Sequence, residues 1–440
     1  GSNSAGYSGQ VGGFMKKAKL LLLGTLVGIL GTGTLAAVRA AETTGALSLS
    51  EAIREAQEKN PEIYLLRQRL QVAEARAKQA PYLEDPEIAI QAGGVPLSNP
   101  SNLSRADSNS LGIRQKFPFF GKLALKEKIA LQEAKIAEQE LRAKEREIIS
   151  RAKMTYADLF MAEKSVEILR EQLEIMRGVI RATEARYQVG RVTQQDVFKA
   201  LLEQSGIMNQ LIVAEEERKA SEVRLNTLMN RPPQTSIQVS TELTVADTAL
   251  SFSGLEELAL ANRAELKGAE QEIERTEKMY ELADRNRKFP DFMVGWDYWR
   301  MPTDMTKNRY AAMVNITIPF SPWTIGKRNY EIEETLAEIR AAKASRDAIR
   351  NMALREVGES QTKFRAAKRS LELYREGILS QAELSFRAAM AAYQTGRVEF
   401  VSLLEAQRAL REARMGYFKA LVSSIQNLAD LERAVGKDLP

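Results

Sequence analysis

The chain has 440 residues, a formal net charge of +5, and neither cysteine nor histidine. Without thiolate or imidazole, zinc and soft-metal sites, Ser-His-Asp and Cys-His nucleophiles, disulfides and a lipid-modified N-terminal cysteine are all excluded or disfavoured. Basic and acidic residues interleave along the chain, so the charge reads as solvated helix faces and not as a nucleic-acid footprint.

The first methionine is Met15, and residues 1–14 are expected to be an expression remnant. Residues 15–40 read as a cleaved export signal. Lys16, Lys17 and Lys19 form the basic start, Leu20 to Leu35 the apolar stretch, and Val38 and Ala40 stand at −3 and −1 before Ala41. Four glycines in the apolar stretch argue against a retained membrane anchor. No later run of about 18 apolar residues exists to cross a bilayer as a helix.

The mature chain then writes one pattern twice, over 41–240 and 250–440. "SLSEAIREAQEKNPEI" (Ser48–Ile63) is answered by "SGLEELALANRAEL" (Ser253–Leu266), and "KFPFFGKLAL" (Lys116–Leu125) by "TIPFSPWTIGKRNY" (Thr317–Tyr330). "ARYQVGRV" (Ala185–Val192) returns as "AAYQTGRV" (Ala391–Val398), an offset of 396 − 190 = 206 residues between their glycines. Three anchors in the same order mark an internal duplication.

Each half contains two stretches that alternate apolar and polar residues, predicted as strands near 86–95, 109–119, 290–301 and 309–320. In the second half Phe292, Val294, Trp296 and Tyr298 share one face, as do Tyr310, Ala312, Val314, Ile316 and Ile318. Gly295, Asp297, Asn315 and Thr317 fall on the other. In the first half Leu111, Ile113 and Phe117 oppose Arg114 and Lys116. About ten residues is the length of a tilted transmembrane strand, and an exported chain can use it so. The expected lipid-facing positions are Phe292, Val294, Trp296, Val314, Ile316 and Ile318. Four strands cannot close a barrel and open edges are not tolerated in lipid, so either the hairpins stay soluble or several copies pool their strands into one barrel.

The remainder reads as helix. From Gly121 to Tyr187 the only glycine is Gly178 and there is no proline, giving about 65 residues and on the order of 100 Å. Lys327 to Thr395 is similarly unbroken save for Gly358 and Gly377. Gly190 and Gly396 end these helices as left-handed caps, and a second helix starts at once after each. The two octets are therefore the tips, about 187–193 and 393–399, of two long helical hairpins, at the end farthest from the strands.

On its duplicated halves, paired strands, "YQVG" and "YQTG" tips and "LMNRPP" (Leu228–Pro233), the chain resembles the TolC-type outer membrane efflux proteins. "RQKFPFFGKLALK" (Arg114–Lys126) is similar to the heavy-metal-efflux branch of CzcC-like and CusC-like channels, with Phe120 in place of that branch's second proline. The resemblance implies a mainly α fold with a transmembrane β-barrel. Duplicated α-hairpin/β-hairpin halves would form a trimeric 12-stranded β-barrel, continued by a long periplasmic α-helical barrel. It also implies a periplasmic gate. Asp196 falls on an inward-facing acidic position, Tyr393 on a gate tyrosine and Glu405 on a second acidic ring. Ser402 stands where an aspartate is common, and Val398 where an arginine is expected, with Arg397 one residue earlier. Tyr187, Gly190, Arg191, Gly396 and Arg397 are the expected adaptor contacts at the tips.

The function implied is the passive exit duct of a tripartite efflux system in a Gram-negative-type outer membrane. Its partners would be two further copies of the chain, a periplasmic adaptor (membrane fusion protein), an inner-membrane pump and outer membrane lipid. Heavy-metal cations are the cargo that the branch resemblance suggests. A type I protein secretion duct and a non-conducting envelope coiled coil are the alternatives. No enzymatic activity, cofactor, metal site or nucleic-acid partner is expected.

Overall fold

The two halves fold into the same succession of elements, described in the computed structural model over residues 46–95, 106–240, 243–244, 251–301 and 304–439. The expected export signal, residues 15–40, and the expected remnant before it lie outside that range. The first half comprises helices α1 (Leu49–Lys59) and α2 (Pro61–Gln79), strands β1 (Glu87–Gly93) and β2 (Ser108–Phe117), and helices α3 (Lys122–Gln188) and α4 (Gln194–Leu228). The second comprises α5 (Phe252–Asn262), α6 (Ala264–Lys288), β3 (Asp291–Arg300), β4 (Arg309–Thr317), α7 (Ile325–Leu373), α8 (Leu379–Gln394) and α9 (Phe400–Val435).

Each half opens on a capping serine. Ser48 Oγ accepts from the Glu51 N–H at 3.3 Å while the Glu51 carboxylate accepts from the Ser48 N–H at 2.9 Å, closing the first turn of α1. Ser251 Oγ accepts from the Gly254 N–H at 3.2 Å at the start of α5. α1 stops at Asn60, whose backbone is extended because Pro61 follows. The Asn60 side chain then starts α2 by accepting from the Glu62 N–H at 2.8 Å, and donates to the Leu228 carbonyl at 3.0 Å. Beside that contact "LMNRPP" folds back: Asn230 takes φ of 57° and Arg231 donates through Nε to Glu55 at 2.8 Å. The motif thus fastens the end of α4 to α1.

α3 runs unbroken for 67 residues, on the order of 100 Å at 1.5 Å per residue. α2 and α6 pack on it at the strand end, α4 at the other, and α9 beside it, while α7 packs on α6 and α9. The main core lies where α1 and α3 meet the ends of α4 and α9, around Ile63, Ile148, Tyr156, Phe160, Leu225 and Met229. The second-half helix departs from the expected unbroken run, for a π-helical turn at Tyr374–Ile378 separates α7 from α8. The facing residue on α9 is Gly416. A Cβ there would lie 2.5 Å from Tyr374 Oη, so the missing side chain is what admits the ring at the bulge.

The strands form one antiparallel sheet in the order β1-β2-β3-β4, which leaves β1 and β4 as edges. Ile318 lies one residue beyond β4, not inside it. The ladder ends where Thr317 meets Asp291, the first residue of β3, and Pro319 could not extend it. Among the described residues no helix is long and apolar enough to cross a membrane.

Candidate functional site

Two regions stand out, at opposite ends of the hairpins. At the strand end, register aligns the apolar positions of all four strands on one face. Ile88 is opposite Ile113 and Ile90 opposite Leu111. Ile113 is opposite Trp296, and Phe117 opposite Phe292. Trp296 is in turn opposite Ala312, Val294 opposite Val314, and Phe292 opposite Ile316. This face is solvent-exposed in the single chain, Ile90 to 82% and Val314 to 63%. The opposite face is polar yet less exposed, with Ser110 and Asp297 buried and Arg114 Nη2 3.8 Å from Asp297 Oδ1. A sheet that exposes isoleucines and buries an aspartate is inside-out for water and suited to lipid. Trp296, Tyr298 and Tyr310 cluster within 5.2–5.4 Å on the apolar face, toward the strand end that borders the β3–β4 turn.

The sheet is joined to the helices by a seam between the halves. Phe119, just past β2, stacks on Phe289 at 4.4 Å. Lys122, at the first position of α3, is almost fully buried and donates from Nζ to Asp291 Oδ1 at 2.8 Å and to the Phe289 carbonyl at 2.9 Å. The Phe119 N–H donates to the same carboxylate at 3.0 Å, and Arg285 Nη1 donates to the Phe120 carbonyl at 2.9 Å. The repeated Pro-Phe…Gly-Lys sequence is the hinge pin where a strand becomes a helix.

At the far end the tips follow from backbone sterics. Gly190 has φ of 68° and Gly396 of 78°, in the region where a Cβ is costly. Around each, the chain makes a paired closing motif. Gly190 N–H donates to the Tyr187 carbonyl and Arg191 N–H to that of Arg186; Gly396 and Arg397 do the same to Tyr393 and Ala392. At the start of α4 the Asp196 carboxylate accepts from Thr193 through both its N–H, at 3.1 Å, and its hydroxyl, at 2.9 Å. The matching positions of the second tip are Glu399 and Ser402, so the carboxylate moves from inside the helix to its cap.

The two tips are not equivalent. Tyr393 is fully buried within the chain, its hydroxyl donating to Thr183 Oγ1 at 3.0 Å. The Arg186 guanidinium covers its ring at 4.6 Å and also donates to its carbonyl, and Phe400 meets it edge-on. Tyr187, the same position in the first octet, is 45% exposed. Position 186 is arginine in one octet, and its counterpart 392 is alanine in the other. Of the remaining predicted tip residues, Arg191, Arg397, Ser402 and Glu405 are exposed and Asp196 is half-buried. Above the tips, Glu203 on α4 takes Arg408 Nε and Arg411 Nη1 from α9, each at 3.1 Å. Burial pulls this carboxyl upward, but the two arginines outweigh it and hold it below the ordinary carboxylate range. Arg186, Thr183, Lys122 and Asp291 had no mark in the sequence beyond their places inside or next to the repeated motifs.

Comparison with known proteins agrees with this geometry. Residues 52–231 and 255–437 match the family described as "Outer membrane efflux protein". The cobalt-zinc-cadmium resistance protein CzcC of Cupriavidus metallidurans is 21% identical over 286 residues, covering 64% of this chain and 66% of that protein, so the match spans just under two thirds of the relative's length. Among solved structures, CusC superimposes with a TM-score of 0.76 at 16% identity, over 88% of this chain and 92% of CusC. VceC of Vibrio cholerae gives 0.73 at 20% identity, over 89% of this chain and 97% of its own. These likenesses show that the protomer has the fold of the outer membrane channels. Among the described residues no group of three or more acidic side chains is placed to hold a metal ion.

Proposed function

Because the chain belongs to the outer membrane efflux protein family, we propose that it acts as the outer-membrane exit duct of a tripartite efflux system, assembled from three copies. One observation carries this reading: the apolar positions of all four strands lie in register on a single exposed face, while both edge strands are unpaired within the chain. Lipid covers such a face, and neighbouring copies close such edges. The helical hairpins then continue the barrel as a tube into the periplasm, and the tips form its mouth. Heavy-metal cations are the proposed cargo, in keeping with the relative named for cobalt, zinc and cadmium resistance. With no cysteine or histidine in the chain, selection of cargo is assigned to the pump, and passage to a water-filled lumen.

Asp196 and Glu405 are the proposed acidic lining of the mouth. Tyr393, buried under Arg186, serves to tie the two hairpins of one chain. Tyr187, Gly190, Arg191 and Arg397 are left to meet an adaptor. Planar-bilayer recording of the purified protein tests the duct. Cation-preferring conductance is expected, with the preference weakened in an Asp196→Ala, Glu405→Ala double variant, because rings of carboxylate focus a cation-attracting field. Protein that inserts into the outer membrane and carries no current would instead be a structural tether.

The tips give a separate expectation. Gly190→Val or Gly396→Val places a β-branched residue at positive φ, at a local cost of about 1–2 kcal/mol. Assembled trimers should still form, since the strands are untouched, but metal tolerance in a strain lacking the native gene should not be restored. Full restoration by the variant carrying both changes would remove these turns from the docking mouth.

A further inference from the structure

The long hairpins carry a gap in their packing, between two apolar cores. Toward the tips, α3, α4 and α9 share a core that ends near Leu169, Ile207 and Leu404. Toward the sheet, the main core begins at Phe160, Leu225 and Leu421. Between them the same three helices line an open groove of about 860 Å³, within the range of small-molecule sites. Side chains that could fill it are short, with Ala162, Ser165 and Ala214 at its wall. Met161, Met415 and Val213 supply its larger apolar surface, and Val213 is 62% exposed in the single chain.

Three carboxylates (Asp158, Glu217, Glu412) and two guanidiniums (Arg224, Arg411) stand around this floor. Both arginines already have acidic partners: Arg224 Nη2 lies 2.6 Å from Glu217, and Arg411 is held by Glu203. Asp158 accepts from the neutral Gln426 amide at 2.6 Å, and Glu412 is exposed. Among the described residues neither of these two is held in an ion pair. Negative charge without a counter-ion, at the rim of an apolar floor, suits a ligand that is itself apolar and positively charged.

We propose that this groove binds amphiphilic organic cations of the quaternary ammonium or phosphonium kind, one to each chain. The apolar body lies on Met161, Val213 and Met415, and the charge stays beside Asp158 and Glu412. Thioether side chains re-pack around apolar groups of different shape, so a class of molecules is held and not a single one. A hydrated metal ion brings no apolar surface to this floor, and an organic anion meets two carboxylates. Seven residues is nearly two helical turns, so one stripe of α4 carries Asp196, Glu203, Gln210 and Glu217, and one stripe of α9 carries Glu405 and Glu412. Asp196 and Glu405 are the proposed acidic lining of the mouth, and their stripes lead to the groove. That the groove opens on the lumen therefore rests on the reading of the chain as a duct, whereas the site itself does not. It gives the wall of the duct a preference of its own, beside whatever the pump selects.

Tetraphenylphosphonium and tetraphenylborate share one shape and carry opposite charge. Equilibrium dialysis against the full chain in a nonionic detergent is expected to show saturable binding of the phosphonium, one per chain, and none of the borate. An Asp158→Asn, Glu412→Gln double variant, whose asparagine oxygen can still accept from Gln426, should bind about tenfold more weakly or worse. Ala214→Trp fills the groove from the α4 side and should remove saturable binding from protein that still runs as a heat-modifiable oligomer. Equal retention of both ions, or full-strength binding by the carboxylate variant, overturns recognition of the charge. Full-strength binding by Ala214→Trp puts the cation elsewhere, and no saturable binding by protein that conducts overturns the site. In planar bilayers the phosphonium should lower the current of the parent and leave that of the carboxylate variant nearly unchanged. Binding with no effect on current overturns the placement on the lumen. Protein that binds the cation and carries no current leaves the groove standing and overturns the duct.

Discussion

Arginine at Val314 or Ile316 is expected to abolish insertion into the outer membrane, while arginine at Asn315 is tolerated. The first two side chains stand on the face shared by Val294 and Phe292 across the ladder, and Asn315 stands on the other. A charge facing lipid near the bilayer midplane costs about 2–4 kcal/mol per copy, and a barrel of three copies multiplies that cost by three. The comparable change at Asn315, opposite Met293 and two residues from Thr317, stands on the other face, away from these apolar side chains. Heat-modifiable trimer in outer membrane fractions reads the result directly. Equal loss from both faces would mean that the sheet is an ordinary half-buried one and that lipid does not distinguish them.

The second large effect is expected at the strand–helix joint. Asp291→Ala leaves Lys122, whose side chain is 4% exposed, without its carboxylate. Orphaning a buried charge typically costs about 3–5 kcal/mol. The lower end applies, since Asp291 is partly exposed and the Phe289 carbonyl still accepts from Lys122. Adding Lys122→Met should recover much of the loss, because replacing both partners with apolar groups is often near neutral. Thermal dissociation of the trimer on unheated and heated gels measures both variants. A single Asp291→Ala change that leaves dissociation unaltered would show that the aromatic stack of Phe119 on Phe289 holds the joint unaided.

Much of the scaffold was legible because its constraints are local. A left-handed turn needs glycine whatever surrounds it, so the two octets marked the hairpin tips. A strand between lipid and lumen must alternate, so the period-2 runs gave both the strands and their faces. A run with no proline and a single glycine, Gly178, was enough to set the length of α3. What escaped notice depends on partners far away in the chain. Nothing near Arg186 announces that it will cover Tyr393, which is 207 residues distant, and Lys122 is 169 residues from Asp291. The π-turn is similar, for Gly377 is tolerable in a plain helix and only Gly416 on another helix makes room for the Tyr374 ring. The family resemblance set Tyr393 at a gate by position alone. In the chain its side chain stands between hairpins, covered by Arg186, where the second octet has Ala392; the octets differ elsewhere only at Val189 and Thr395.

That difference has a consequence for any ring built from such chains. A ring of identical single repeats would present one kind of tip all the way round, each as available as the next. The two repeats of this chain instead carry arginine at position 186 and alanine at its twin, 392. In a ring of such chains the two kinds of tip would alternate, one with its tyrosine exposed and one with it buried, so a docking protein would meet half as many equivalent tips as there are hairpins.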